Sequence, residues 1–525
     1  MTRERKKILS KSDIINHIAQ GKAIVIYENY VLNLTAWLPK HPGGDTAVYH
    51  LIGRDATDEM KAYHSDETIS TFLRWRIGEI DYKWENLLPP IQGGVYSKGE
   101  AKELGKPEGE VVVTTQDKLV TSKNAGQLFP IEETIVNPKV LMANYDNKLT
   151  HEDIQALPDL DYATQQLLRD EYHELHKLII DNGFYKCNYF RYLREIIKIS
   201  TLVLFCFSFL KIGYFKLSAI CIGCAWHQAT FIAHDAGHVS ITHNYQFDNI
   251  FGILIADWFG GLSLGWWKRN HNVHHLITND PVHDPDIQHL PFFAVSVKLF
   301  DSVYSTYYGK ILHFDKFAQA LIPLQHFLYY PILCFGRFNL YRLSWAHLIN
   351  GDGPKHGKAA WFRYFELLGM SFFFYWFFYL LVWKNIDGGW NRFNYIMISH
   401  VTTMLVHVQI TLSHFAMSTS NLGASESFVS RQLRTTMDVD CPEWLDFFHG
   451  GLQFQAIHHL FPRLPRHNFR TVQPLVISFC KKVGLSYSIY GFGEGNGKVI
   501  GKLGDVAKQC SILLDAIKEY DGELT

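Results

Sequence analysis

At 525 residues the chain is longer than one hydrophobic core ordinarily organises, so more than one domain is expected. Lysine and arginine number 50 against 51 aspartates and glutamates, a balance that gives no charge-based case for a nucleic-acid partner. Aromatic residues reach 15 % while mean hydropathy is −0.06, the average expected when very apolar segments are joined to a polar soluble portion. Histidine, at 27 copies, is unusually abundant. The eight cysteines fall mostly in or beside apolar runs and read as reduced. Cys221 and Cys224 have CxxC spacing, but inside a hydrophobic run with no second pair, which suits small packing residues. The basic start Met1–Lys7 leads into polar patterned sequence without the apolar region of a signal peptide.

Residues 5–82 read as a small α+β unit: a helix over Ser10–Gln20, then two short strands, Ala23–Tyr27 and Tyr30–Leu34, around a turn at Glu28-Asn29. Pro42, Gly43 and Gly44 hold His41 on a tight loop, and a second histidine, His64, follows the acidic stretch Asp55–Glu59. The HPGG motif, the preceding YVLNLTAWL and the later histidine resemble cytochrome b5. That resemblance implies that His41 and His64 are the two axial ligands of a haem b, which then carries electrons and leaves no position for oxygen.

Residues 83–149 lose periodicity and fill with Gly, Pro, Lys, Glu, Ser and Thr, as expected of a polar linker or loose insertion; Val111–Val113 is its one strand-like run. From residue 150 helical patterning returns, and Leu167–Ile180 reads as an amphipathic helix at a membrane surface with His173 and His176 solvated. Residues 196–214 and 215–233 form one apolar pair, and 365–383 and 393–413 another, each close to the ~20 residues that cross a bilayer. Residues 250–267 and 321–338 are also apolar. They carry Asp257 in one case and Pro323, Gln325, His326 and Pro331 in the other, groups that are expensive against lipid. If either crossed, one histidine cluster would be stranded on the far side of the membrane. Four spans, with all clusters on one side, are therefore expected.

Those clusters carry the chemistry. His234 and His238 are spaced HxxxH after the first hairpin; His271, His274 and His275 are spaced HxxHH; and Gln455, His458 and His459 repeat the i, i+3, i+4 spacing after the second hairpin, with an amide in the leading position. Seven imidazoles are too many for one tetrahedral zinc, so two metals are implied, and an all-nitrogen pocket joined to an electron carrier suits redox-active iron.

With its boxes, Asn279, Asp284-Pro285-Asp286 and the run from His459 to His467, the chain resembles the membrane fatty-acid desaturases. Within them it is similar to the front-end class, which has an N-terminal cytochrome b5 domain and a third box led by Gln. The implied fold is an α+β cytochrome b5 domain, a polar linker, and an all-α integral-membrane domain over 150–525 with about four transmembrane helices. The resemblance implies a di-iron centre held by His234, His238, His271, His274, His275, His458 and His459, completed by a histidine outside the boxes, His414 first and His407 second. Ile410 stands where related acyl-CoA desaturases place an Asn one turn before that ligand. Gln455 either ligates weakly or hydrogen-bonds a ligand. Asp235, Asp284 and Asp286 are candidate acceptors for the imidazoles, or plain helix and turn residues. The other histidines, among them His227, His243, His283, His289, His313, His347, His356 and His449, read as structural.

The implied reaction takes electrons from NADH through a cytochrome b5 reductase and the haem to the iron, where O2 is used to remove two hydrogens from neighbouring methylenes. Similarity in WHQATFIAHDAGH, WWKRNHNVHH and VQITLSHFAMST points to fungal sphingolipid desaturases acting at Δ8 of the ceramide long-chain base. The alternatives are a front-end Δ5/Δ6 desaturase of acyl lipids or acyl-CoA, a b5-fused di-iron lipid hydroxylase, and a membrane-anchored haem carrier with an inert His-rich domain. The expected location is the endoplasmic reticulum membrane, with haem domain and boxes facing the cytosol.

Overall fold

A computed structural model describes residues 7–96 and 137–523. Val111–Val113 lies outside the described residues. In the N-terminal unit, helix α1 (Lys11–Ala19) begins where the Ser10 hydroxyl accepts from the Asp13 amide and the Asp13 carboxylate accepts from the Ser10 amide, a reciprocal cap that satisfies two free donors. Strands β1 (Ile24–Tyr27), β2 (Tyr30–Asn33) and β3 (Arg76–Glu79) form an antiparallel sheet in that order, with Val25 opposite Leu32 and Val31 opposite Gly78. Helices α2 (Thr46–Tyr49), α3 (Thr57–Tyr63) and α4 (Asp66–Phe72) complete the unit. Its core gathers Ile14, Ile24, Ile26, Val31 and Leu32, and reaches past residue 82 to take in Trp84 and Leu87.

After a long helix α5 (Pro138–Ala156) comes α6 (Tyr162–Asp181), capped by Asp161. The expected surface helix with solvated histidines is not what forms. Leu168, Tyr172, Leu175 and Ile179 of α6 are buried in a core shared with the segment around the third box. His173 Nε2 reaches Asp58 of the N-terminal unit at 2.6 Å, and His176 bonds the Tyr185 hydroxyl at 2.9 Å. The helix is amphipathic because it lies between two protein surfaces.

Helices α7 (Tyr189–Lys211) and α8 (Phe215–Gly237) form the expected hairpin and pack together, with α13 (Gly389–Thr402) against α8. At that crossing Gly223 faces the Ser399 carbonyl so closely that a Cβ would come within 2.5 Å, so only glycine permits the approach. Ser218 bridges the bundle by donating to the Cys206 carbonyl at 2.8 Å and meeting the Tyr395 hydroxyl at 3.0 Å. All eight cysteines are free.

Among the described residues two helices are long and apolar enough to cross a membrane, Gly357–Trp383 and Gly389–Leu412; the first contains the expected span 365–383 and the second covers 393–413 up to Leu412. The expected spans 196–214 and 215–233 fall in α7 and α8, which do not meet the same measure. The reason lies in side-chain polarity: α7 opens with Arg191, Arg194, Glu195 and Lys198, and α8 carries His227 and Gln228. Tyr245–Phe259 and Leu264–Leu276 would add a third crossing only as one broken span, and they bend by 115° at their junction, as a re-entrant segment does. Residues 321–338 are divided into short helices, with a tight turn at Pro323 and a break at Cys334, while Gln325, His326 and Pro331 lie inside the helix Gln325–Leu333.

Candidate metal centre and haem pocket

Each histidine cluster sits at the C-terminal end of a helix. His234 lies in the last turn of α8, and His238 is its cap. His271, His274 and His275 end α10 (Leu264–Leu276), which the Ser263 hydroxyl caps through the Trp266 amide. His458 and His459 end the short α16 (Gln455–Leu460), and His414 follows α14 (Met404–Leu412). Between these last two runs α15 (Phe428–Thr435) crosses the site. Helix C-termini present negative dipole ends, a favourable place for cations.

The structure brings all eight imidazoles together. His234, His238, His271 and His458 each offer a nitrogen, all within 4.8 Å of one another, and His274, His414 and His459 do the same beside them. His275 lies between the groups, its Nε2 2.9 Å from that of His271 and its ring stacked on His459 at 4.0 Å. Of the two non-box candidates, His414 falls in such a group and His407 does not. His407 lines the adjoining cavity instead.

Whether the cluster suits metal can be judged from its nitrogens. Nε2 of His234, His238, His458 and His459 is buried without a hydrogen-bond partner, as is Nδ1 of His275. Buried polar atoms are nearly always paired, so these orphans, gathered in and between two adjoining imidazole groups, fit cations that would pair them. Burial and the neighbouring imidazoles hold His458 and His459 well below the usual histidine range, in the neutral form that ligation needs.

The opposite ring nitrogens are fixed by partners. His274 Nδ1 donates to Asp284 at 2.8 Å; burial pulls that imidazole down, but Asp284 and Asp286 outweigh it and lift it to about 9. Asp284 is itself held by the Asn279 amide at 2.7 Å and the Asp286 amide at 2.8 Å. His459 Nδ1 donates to Gln432 Oε1 at 2.8 Å, whose Nε2 donates to the His275 carbonyl at 2.8 Å; His414 Nδ1 donates to the Thr435 carbonyl at 3.2 Å. Asn279, held at φ +60°, ties the second box to His414 by donating to its carbonyl at 2.8 Å. Asp235 does not orient an imidazole. It accepts from the Tyr192 hydroxyl at 2.6 Å and pairs with Arg466 at 3.3 Å, and stands 3.6 Å from His234, too far for a hydrogen bond. Gln432 and Thr435 escape detection in the sequence because they sit in an amphipathic helix with no metal-ligand spacing.

Beside the imidazoles lies a cavity of about 1360 Å³ whose wall includes His234, His271, His274, His414 and Gln455. Trp226, Ala229, Ile255, Leu262 and Ile410 give it apolar lining, and Arg269, Arg342, Asn350 and Asp352 give it polar lining. A long alkyl chain with a polar head suits that combination.

In the N-terminal unit the His41 and His64 rings face each other with centroids 6.3 Å apart. His41 Nδ1 donates to the Gly44 carbonyl at 2.5 Å and His64 Nδ1 to the Met60 carbonyl at 3.1 Å, leaving both Nε2 atoms for a shared ion. That gap admits one metal at the usual imidazole distance of about 2 Å on each side. Trp37 packs on His41 at 4.7 Å and Phe72 on His64 at 4.9 Å. Burial lowers the imidazoles to about 4 and about 3, so both are neutral.

Comparison with known proteins agrees with this geometry. Residues 213–491 match the family described as Fatty acid desaturase, and residues 10–86 the Cytochrome b5-like Heme/Steroid binding domain. The chain belongs to the fatty acid desaturases. This desaturase is 64 % identical to a Delta 8-(E)-sphingolipid desaturase of Candida albicans, over 99 % of both chains. It is 61 % identical to the one of Komagataella phaffii, covering 99 % of this chain and 97 % of that one. A Delta(8)-fatty-acid desaturase of Helianthus annuus is 30 % identical over 96 % of this chain and 92 % of its own. The desaturase is thus an oxidoreductase of a membrane-bound family; its fused domain implies a haem and its family non-haem iron.

Proposed function

We propose that this desaturase introduces an E double bond at Δ8 of the long-chain base of ceramide. The observation that carries the reading is the wall shared by four of the clustered imidazoles and a cavity fit for a long chain. Identity across nearly the whole chain to proteins named Delta 8-(E)-sphingolipid desaturase supports both position and geometry.

In this reading His41 and His64 hold haem b, and the boxes with His414 hold two irons. Irons held there would supply the O2-dependent removal of two hydrogens from adjacent methylenes, with electrons from NADH reaching them through a cytochrome b5 reductase and the haem. The protein's own contribution is positional. Asp284, Gln432 and the Thr435 carbonyl fix the tautomer and tilt of His274, His459 and His414. The apolar lining orders an unactivated chain against the imidazoles and excludes water, so the bond attacked is chosen by depth in the cavity. Gln455 lines the same wall, where its amide bears on substrate or ligand.

For the units the reading is a haem domain over 5–82, its core also drawing in Trp84 and Leu87, a linker over 83–149 whose last residues open helix α5, and a desaturase domain over 150–525. The haem domain touches box two, which supports placing haem and boxes on one side of the membrane. With NADH as donor that side is the cytosolic face of the endoplasmic reticulum. Lipid profiling of a host that lacks sphingolipid Δ8 desaturation tests the reading. A new Δ8-E bond in ceramide bases upholds it, and a new bond confined to phospholipid acyl chains refutes it.

A further inference from the structure

The haem domain does not merely neighbour the metal centre; one of its side chains touches it. Tyr63 ends α3 and precedes His64 in the chain. Its ring stands edge-on to His275, with centroids 6.0 Å apart and planes at 90°. His275 is in the middle of the cluster, against both His271 and His459. The Tyr63 hydroxyl is buried with no partner among the described residues, and the contact with His275 is made by the ring.

The approach is held on two further sides. Asn272, between His271 and His274, donates to the Gly43 carbonyl at 3.1 Å, and a Cβ on Gly43 would sit 2.9 Å from that amide and 3.1 Å from the His41 ring. Arg169 of α6 grips Asp55 at 2.6 Å and Asp58 at 3.1 Å, with His173 on the other oxygen of Asp58.

We propose that Tyr63 is the positioning residue that couples the two redox centres, its ring, next in the chain to the haem ligand His64, packing on the central imidazole His275 so that electrons cross through packed atoms. The inference rests on the reading of the histidine cluster as an iron site. Each crossing oxidises ferrous haem to ferric and delivers one electron. Two crossings, two protons from solvent and the two hydrogens taken from substrate reduce one O2 to two waters, and the NADH-dependent reductase returns the haem to the ferrous form.

The test uses the full chain loaded with haem and iron. Haem is reduced, then mixed with O2 and ceramide, and its reoxidation followed by absorbance in wild type, Tyr63→Phe, Tyr63→Leu and Tyr63→Ala. Expected is wild-type reoxidation in the Phe variant and slowing by about ten- to a hundredfold in the Leu and Ala variants, the scale on which small displacements act in positioned reactions. Haem spectrum, haem potential and iron content should be unchanged in all. Wild-type rates in Leu or Ala, or slowing in Phe equal to that in Ala, would overturn the proposal, as would loss of haem or iron in both Leu and Ala. The iron reading fails separately: in that case wild type and His274→Ala reoxidise at the same rate.

Discussion

The Nδ1 of His274 and the carboxylate of Asp284 meet at 2.8 Å, and both side chains are almost wholly buried. The contact fixes which nitrogen of His274 faces the cluster. Replacing the carboxylate by an amide keeps the shape but removes the charge that orients and strengthens the imidazole. Asp284→Asn is therefore expected to lower iron affinity by about 10–100-fold, with the helix content of the protein intact. Iron bound per chain, titrated against free Fe(II), measures it; unchanged affinity would reduce Asp284 to a turn residue.

The two cofactor sites should be separable. His41→Ala is expected to remove the six-coordinate haem spectrum and leave iron in place, whereas His274→Ala should lose iron and keep the spectrum. Both should abolish the ceramide product. Visible absorption, metal analysis and lipid profiling on the same preparations check this. Product surviving in His274→Ala would point to an electron carrier with an inert His-rich domain.

Gln455 offers a sharper test of the third box. Gln455→His is expected to keep part of the activity, because a polar ligand-capable group remains on the cavity wall, and Gln455→Ile to lose it. Full activity in the Ile variant would mean that the amide has no chemical role.

Glu59 makes the haem domain sensitive to pH. Burial raises its carboxyl from 4.5 to about 7, and the nearby Arg54 only partly opposes that. Between those values the folded domain holds a proton that the unfolded chain releases, so stability falls as pH rises through the window, by about 3 kcal/mol at its upper end. Glu59→Gln should flatten the profile. Thermal unfolding followed at the haem band from pH 4.5 to 7.5 measures both slopes, and parallel profiles would exclude Glu59 as the cause.

What was legible in the sequence follows from range. Box histidines sit at i, i+3 and i+4, so local helix geometry alone announces them, and His41 is announced by the glycines that turn its loop. Gln432 orients His459 from 27 residues away in the chain and grips the His275 carbonyl from 157 away, a relation no local pattern encodes. The role of α6 was hidden for the same reason, since Arg169 and its partner Asp58 are 111 residues apart. The first hairpin was legible as apolar helices. Its charged start at Arg191–Lys198 and the His227-Gln228 pair in its second helix leave it less apolar than Gly357–Trp383 and Gly389–Leu412.

The grip of Arg169 on Asp55 and Asp58 also bears on supply and demand in the cell. A donor that is both tethered and clamped experiences an effective concentration on the order of millimolar or more, set by geometry and independent of expression level. On the proposed electron route free cytochrome b5 would compete poorly against it, and turnover would be a first-order property of each molecule.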